Sequence, residues 1–243
     1  MSILKKSLKS ILKAFTCNRC KICGEVVELG ADLCSECSSL KIIEHPRCVH
    51  CGCTKTDCVC KSKKNEFKQI TSPYYYSESI VRAISNFKMN DMPFLADEFA
   101  LKMYEQIKTD YQNIDFDYIT FVPLRRFHQA KRGFNQSELI AEKLSVMMNV
   151  NSVTLLKKVR YTGVQHKKSA KERAADVFGA FDVQKNYKNA LGEKTILLID
   201  DVKTTGATLN ECAKMLKIYG AKDVFCASFA VTKKEKSNKN SHI

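Results

Sequence analysis

The chain has 243 residues, of which 44% are apolar. That excludes a disordered chain and fits one full domain plus a small one. A formal charge of +14 favours an anionic partner. No run of about eighteen apolar residues is present to span a membrane.

Residues 1–16 place Leu4, Leu8, Ile11 and Phe15 at helical spacing with lysines between them, the pattern of a basic amphipathic helix. The stretch has neither the continuous apolar core nor the small-residue cleavage site of a signal peptide. A cytoplasmic location is therefore expected, where cysteines stay reduced. Ten of the twelve cysteines lie between Cys17 and Cys60, and they define a cysteine-rich segment over residues 17–64. Cys20-x-x-Cys23 and Cys34-x-x-Cys37 form a doubled knuckle, which supplies the four soft ligands of tetrahedral zinc. A second set follows in Cys48, Cys51, Cys58 and Cys60, with Cys53, His45 or His50 as substitutes. One or two structural Zn²⁺ ions are expected. Each site of four thiolates and one dication would lower the net charge by two, leaving about +10 with both filled.

From residue 65 to 232 the pattern alternates between strand and helix. Ile80, Ala83, Ile84 and Phe87 form a helical stripe, and Tyr118–Val122 reads as a short strand. Asn135 or Ser137 can cap a helix carrying Leu139, Ile140, Lys143, Leu144 and Met147. Ile196–Ile199 is a strand buried on both faces, and Leu209, Cys212, Ala213 and Leu216 line the next helix, which Gly220 stops. Val224–Val231 is another strand. Strand–helix–strand order predicts an α/β fold with a parallel sheet. Residues 233–243 have the composition of a disordered tail.

The chemistry concentrates where the strand at 196–199 ends. Asp200 and Asp201 are followed by Thr204-Thr205-Gly206-Ala207-Thr208 and then by a helix. A turn into a helix N-terminus offers backbone N–H groups and the positive end of the helix dipole to an anion. Gly206 permits close approach, and the threonine hydroxyls add donors. Two carboxylates at the C-terminal edge of a strand repel phosphate but accept from sugar hydroxyls. A ribose 5-phosphate satisfies both halves.

This segment resembles the motif by which type I phosphoribosyltransferases bind phosphoribosyl pyrophosphate (PRPP). Other stretches narrow the likeness: Val122-Pro123-Leu124; Arg132-Gly133-Phe134-Asn135-Gln136; Gln165, Ser169 and Arg173; and Val177-Phe178-Gly179-Ala180-Phe181. Together with the doubled knuckle they resemble the ComF family (ComFC or GntX-like) over residues 17–232. One departure is Asp176, where the family commonly has asparagine.

The resemblance implies a type I phosphoribosyltransferase-like sheet with helices on both faces, joined to a small zinc-knuckle domain. It implies Mg²⁺ bound with PRPP, a pyrophosphate loop at Leu124, Arg125, Arg126 and Arg132, and a flexible basic loop over 157–173. That loop carries Arg160, Gln165, Lys167, Lys168 and Arg173. Residues 67–103 would supply the hood over an acceptor. A lysine after an apolar helix, here Lys88, is also shared, with no evident role. The family's link to natural competence adds single-stranded DNA and a competence helicase as partners. Two functions follow: phosphoribosyl transfer with release of pyrophosphate, or a non-catalytic module for single-stranded DNA in which PRPP regulates or the fold serves as a scaffold.

Overall fold

The computed structural model describes residues 18–60, 65–89, 92–124, 133–160, 175 and 177–233. The expected helix at 1–16, Cys17 and the tail beyond 233 lie outside them. No described helix is long and apolar enough to cross a membrane.

The centre is a parallel sheet ordered β3 (Gln69–Thr71), β9 (Asp223–Val231), β8 (Thr195–Lys203), β5 (Tyr118–Phe121), with β4 (Tyr74–Tyr75) also pairing β9. Residues 151–153 extend the far edge, bridging Ile119 from the other side. The apolar runs read as strands buried on both faces behave that way. Leu197 and Ile199 pack into one layer, and Ile196 and Leu198 into the other, as the two-residue period of a strand requires.

The first layer holds α2 (Glu78–Met89), α3 (Leu95–Asp110) and α4 (Gln136–Met148). Phe99 stacks on Phe229 of β9, their ring centroids 3.6 Å apart. The second layer holds α5 (Ala207–Ile218) and the antiparallel pair β6 (Leu156–Lys158) and β7 (Phe181–Val183). Asn135 is the cap of α4, its side chain accepting from the Ser137 amide at 3.1 Å. Gly220, with φ of +97°, ends α5 as expected.

The strand carrying the two acids is longer than its apolar run. The apolar pattern ends the strand at Ile199, but β8 continues to Lys203, paired through Val202↔Ala230 and Lys203↔Val231. The cause is β9, which stays apolar and buried through Val231 and keeps supplying ladder partners.

The cysteine-rich segment, with β1 (Asn18–Arg19), β2 (Val26–Val27) and the one-turn α1 (Ser35–Ser38), is built into this core. Cys20, Ile22, Cys23 and Cys37 join the layer of Phe87, Leu95 and Phe99. A buried polar bolt holds the stretch between the two cysteine sets. Arg47 Nη1 donates to Asp110 Oδ2 at 2.8 Å and to Thr71 Oγ1 at 3.1 Å, and Nη2 donates to Gln106. Both charges of the Arg47–Asp110 pair are under 10% exposed, so removing either partner would strand the other.

Candidate functional site

The C-terminal edge of the parallel sheet collects the chemistry, as open α/β sheets do. β8 delivers Asp200 and Asp201, and the chain then turns through Thr204, Thr205 and Gly206 into α5. Gly206 caps that helix at φ +81°, a left-handed conformation costly for other residues. A Cβ there would also meet Lys203 Cε at 3.2 Å. The Ala207 amide is turned onto Thr205 Oγ1 at 3.3 Å. The amides of Thr205, Gly206 and Thr208 donate to no described residue, and they stand where the dipole of α5 is positive.

The two acids are not equivalent. Asp201 forms an ion pair with Lys88 on α2, and its other oxygen accepts from the Val202 amide at 2.8 Å. Lys88, conspicuous in the sequence without a role, thus neutralises one carboxylate of the pair. Asp200 Oδ1 accepts from the Asp201 amide at 2.9 Å and from Ser137 Oγ at 3.3 Å. Burial, followed by the charge of Asp201, raises the Asp200 carboxyl to about 8, against the opposing pull of Lys88. The residue as a whole keeps some accessible surface, but its carboxyl group lies deep, and that depth sets the direction.

Asn135 explains the Phe-Asn-Gln motif. Besides capping α4 it donates to the Val122 carbonyl at 3.1 Å, so one side chain sets the helix start against the end of β5 and brings Ser137 over Asp200. Beyond β5, Pro123 and Leu124 join Glu138, Lys157 and Lys158 around a cavity of about 380 Å³. Gly179 explains part of the Val177–Phe181 motif. Its amide donates to Glu211 of α5 at 2.8 Å, which ties the arms of β6 and β7 to the helix behind the Thr204–Gly206 turn. Arg160 continues the β6 arm, its amide on the Ala180 carbonyl at 3.4 Å. Of the other expected contacts, Arg125, Arg126, Arg132, Gln165, Lys167, Lys168 and Arg173 lie outside the described residues, as does Asp176.

Each cysteine set converges. Cys20, Cys23, Cys34 and Cys37 bring their sulfurs within 4.8 Å of one another, as do Cys48, Cys51, Cys58 and Cys60. Cys23 and Cys34 sulfurs are 3.7 Å apart, close to the ~3.8 Å edge of a tetrahedron with ~2.3 Å zinc–sulfur arms. Both sets could hold a structural metal ion. None of the three substitutes belongs to the second set. Cys53 is buried beside it, His45 faces Asp110 at 3.4 Å, and His50 lines a cavity next to Thr205.

Residues 67–103 send Ile70, Ile80, Phe87, Leu95 and Phe99 into the core and leave Tyr76, Val81, Phe94 and Leu101 exposed. One wall beside the Thr204–Gly206 turn comes from the second cysteine set, and Lys203 joins the two by donating to the Cys51 carbonyl at 3.0 Å. The sequence marks Ser137 only as an alternative helix cap and assigns no contact to it or to Lys203, although a lysine inside the motif was a signal that could have been weighed.

A family profile described as the phosphoribosyl transferase domain matches residues 130–243. Competence protein F of Haemophilus influenzae is 30% identical over 219 residues, covering 86% of this chain and 94% of that protein. The chain belongs to the ComF family. Its relatives in that family include competence protein ComFC of Streptococcus pneumoniae, 28% identical over 85% of this chain and 96% of its own length. The DNA utilization protein YhgH of Escherichia coli is 26% identical over 83% of this chain and 92% of its own length. Among solved structures, adenine phosphoribosyltransferase of Saccharomyces cerevisiae overlaps 62% of this ComF chain and 73% of its own, with 17% identity and a TM-score of 0.37. The phosphoribosyl transferase profile and the parallel sheet flanked by helices give this ComF protein a type I phosphoribosyltransferase-like fold, with an N-terminal cysteine segment that could hold zinc.

Proposed function

We propose that this ComF protein binds PRPP at the C-terminal edge of its sheet and acts in the uptake or use of DNA in the cytoplasm. The observation that carries the reading is the β8–α5 junction, where two carboxylates on the strand precede a left-handed Gly206 and a helix start with undonated amides. The 5′-phosphate would sit on Thr204–Thr208, and the ribose hydroxyls would donate to Asp200 and Asp201. Pyrophosphate would point toward Leu124, Lys157 and Lys158, where two lysines and one carboxylate, Glu138, line the cavity at the end of β5. Arg125, Arg126 and Arg132, and the loop carrying Gln165, Lys167, Lys168 and Arg173, would complete that end. Both cysteine sets would hold structural zinc.

The chemistry that suits this layout is displacement at the anomeric carbon. The bond to the pyrophosphate oxygen breaks, its electron pair leaving with pyrophosphate. A lone pair of the acceptor forms the new bond, and the acceptor's proton passes to solvent. Mg²⁺ bound with the pyrophosphate would neutralise the leaving charge. Asp200 and Asp201 would hold the sugar and stabilise positive charge developing on its ring. Calorimetry with PRPP and Mg²⁺ tests binding, and pyrophosphate release against nucleobases and single-stranded DNA tests transfer. Failure to bind PRPP or ribose 5-phosphate would refute the reading.

A second reading, a single-strand-binding module that uses PRPP as a regulator or the fold as a scaffold, is favoured by the charge of +14. On that reading affinity for single-stranded DNA falls steeply with salt through counterion release. Changing Lys167 and Lys168 to Glu weakens it further. Binding indifferent to both would assign the positive charge to solubility alone.

A further inference from the structure

The acid pair of β8 meets a cation that belongs to the protein itself. Lys88 stands in the last turn of α2, and its Nζ forms an ion pair with Asp201 Oδ2. The two side chains are 28% and 13% exposed, so water and salt screen this pair less than a bridge on the open surface. The core fixes where the ammonium stands. Phe87, the residue before it, is fully buried and meets the ring of Phe99 edge to face at 5.2 Å. Ile80, Ala83 and Ile84 anchor the rest of the helix. A cation is also favoured in the last turn of a helix, at the negative end of its dipole.

Two further oxygens of the pair are engaged. Asp201 Oδ1 accepts from the Val202 amide at 2.8 Å. Asp200 Oδ1 accepts from the Asp201 amide at 2.9 Å and from Ser137 Oγ at 3.3 Å. A magnesium ion held directly by both carboxylates would demand oxygens at about 2.0–2.1 Å in a near-octahedral array. It would have to evict Lys88, because two cations repel strongly at one oxygen, and it would compete with these backbone contacts. The acid pair therefore does not fit a divalent ion of its own. Lys88 already supplies what such an ion would bring, an offset to the repulsion between the two acids and between the acids and an arriving phosphate.

We propose that Lys88 is the resident cation of the acid pair, so that Asp200 and Asp201 receive the ribose hydroxyls with no metal bound directly to them. The proposal rests on the PRPP reading for the identity of the sugar. Lys88 acts as a positioning residue: it holds Asp201 in place and balances its charge while Asp201 Oδ1 and Asp200 face the sugar. The Mg²⁺ of the PRPP reading then belongs to the pyrophosphate alone, and a ligand without pyrophosphate needs none.

The test uses full-length, zinc-loaded protein and two readouts: calorimetry with ribose 5-phosphate, with and without Mg²⁺, and uptake of Mn²⁺ followed by electron paramagnetic resonance. Wild type should bind ribose 5-phosphate equally in both buffers and take up no Mn²⁺ at the acid pair. Lys88→Met should lose about tenfold in affinity without a divalent ion and recover when Mg²⁺ is added. It should also gain a Mn²⁺ site that Asp201→Asn abolishes. Lys88→Arg keeps the charge and should stay independent of Mg²⁺. If Lys88→Met fails to fold, Lys88→Gln, which keeps a donor for Asp201, takes its place. A Mn²⁺ ion bound by wild type and lost in Asp201→Asn overturns the proposal. So does a Mg²⁺ requirement as large in wild type as in Lys88→Met, or a Lys88→Met protein that binds as wild type does in both buffers. If no form binds ribose 5-phosphate, the PRPP reading fails, and Mn²⁺ uptake alone decides: a site present in Lys88→Met and absent in wild type upholds the role of Lys88, and any other result refutes it.

Discussion

The two cysteine sets share one chemistry and occupy different places. Cys20, Cys23 and Cys37 are at most 2% exposed and pack into the helical layer with Phe87, Leu95 and Phe99. Cys48, Cys51 and Cys58 of the second set sit in a small apolar cluster with Ile43 and Val231, the end residue of β9, one hydrogen bond from Lys203, and Cys60 lies exposed beside them. A metal in the first set would hold up the core, and a metal in the second would hold up the turn from β8 into α5. Equal spacing of ligands in sequence therefore does not imply equal roles. What each knuckle packs against decides.

The largest expected effect separates the two sets by stability. Cys23→Ser removes a ligand inside the core and should cost about 2–5 kcal/mol, seen as a large fall in unfolding temperature and the loss of one of two bound zinc ions. Because this set shares the core of the sheet, the loss should extend beyond the N-terminal segment. Unfolding confined to that segment, with the sheet melting as in wild type, would refute the shared core. Metal analysis finding one zinc in wild type would remove one set from the comparison.

Next comes the reference for damage to the site itself. Asp200→Asn with Asp201→Asn touches neither cysteine set and keeps the shape of the strand end. Two charge-assisted hydrogen bonds at about 1.5–3 kcal/mol each predict a loss of PRPP affinity of roughly a hundredfold or more. Wild-type affinity in a folded double mutant would reduce the motif to a capped helix.

Cys60→Ser is the counterpart of Cys23→Ser and should behave in the opposite way. Cys60 is exposed, so stability should change little. Loosening the knuckle frees Lys203 beneath Gly206, and PRPP affinity should fall about three- to tenfold, the scale of one hydrogen bond. If Cys60→Ser unfolds the protein as Cys23→Ser does, or leaves PRPP binding untouched, the contrast fails.

The smallest effect is a pH profile, which reports on Asp200 alone. Its carboxyl, raised to about 8 by burial and by Asp201, holds a proton in the empty site at neutral pH. Ribose hydroxyls need an accepting carboxylate, so binding expels that proton. Affinity for ribose 5-phosphate should rise about fivefold from pH 7 to 8 and level off above. The same group has a folded value above its unfolded one, so it erodes the stability of the empty protein as pH climbs from about 4 toward 8. Lys88→Met removes a cation that lowers Asp200 and should move the rise in affinity to higher pH. A flat profile would show that Asp200 does not carry the proton.

Much of this was legible in the sequence. The apolar runs marked β8 and β9, Asn135 or Ser137 marked the start of α4, where Asn135 proved the cap, and the cysteine spacing picked out both fourfold sets. The Asp-Asp-x-x-Thr-Thr-Gly pattern marked the site because each of its demands is local: an extended strand, a left-handed glycine and a helix start. Such features depend on neighbours a few residues away, and a sequence records those neighbours directly.

What the tertiary structure decided is pairing at long range. Lys88 lies far along the chain from Asp201, and Ser137 from Asp200, yet the sheet brings each pair together. β8 outran its apolar stretch because β9 kept offering partners. The second cysteine knuckle came to lie beside Thr205, far from it in sequence. These choices depend on which surfaces meet once the layers close. Composition and local periodicity fix the elements, and only the packed sheet fixes which charged and polar groups share a site.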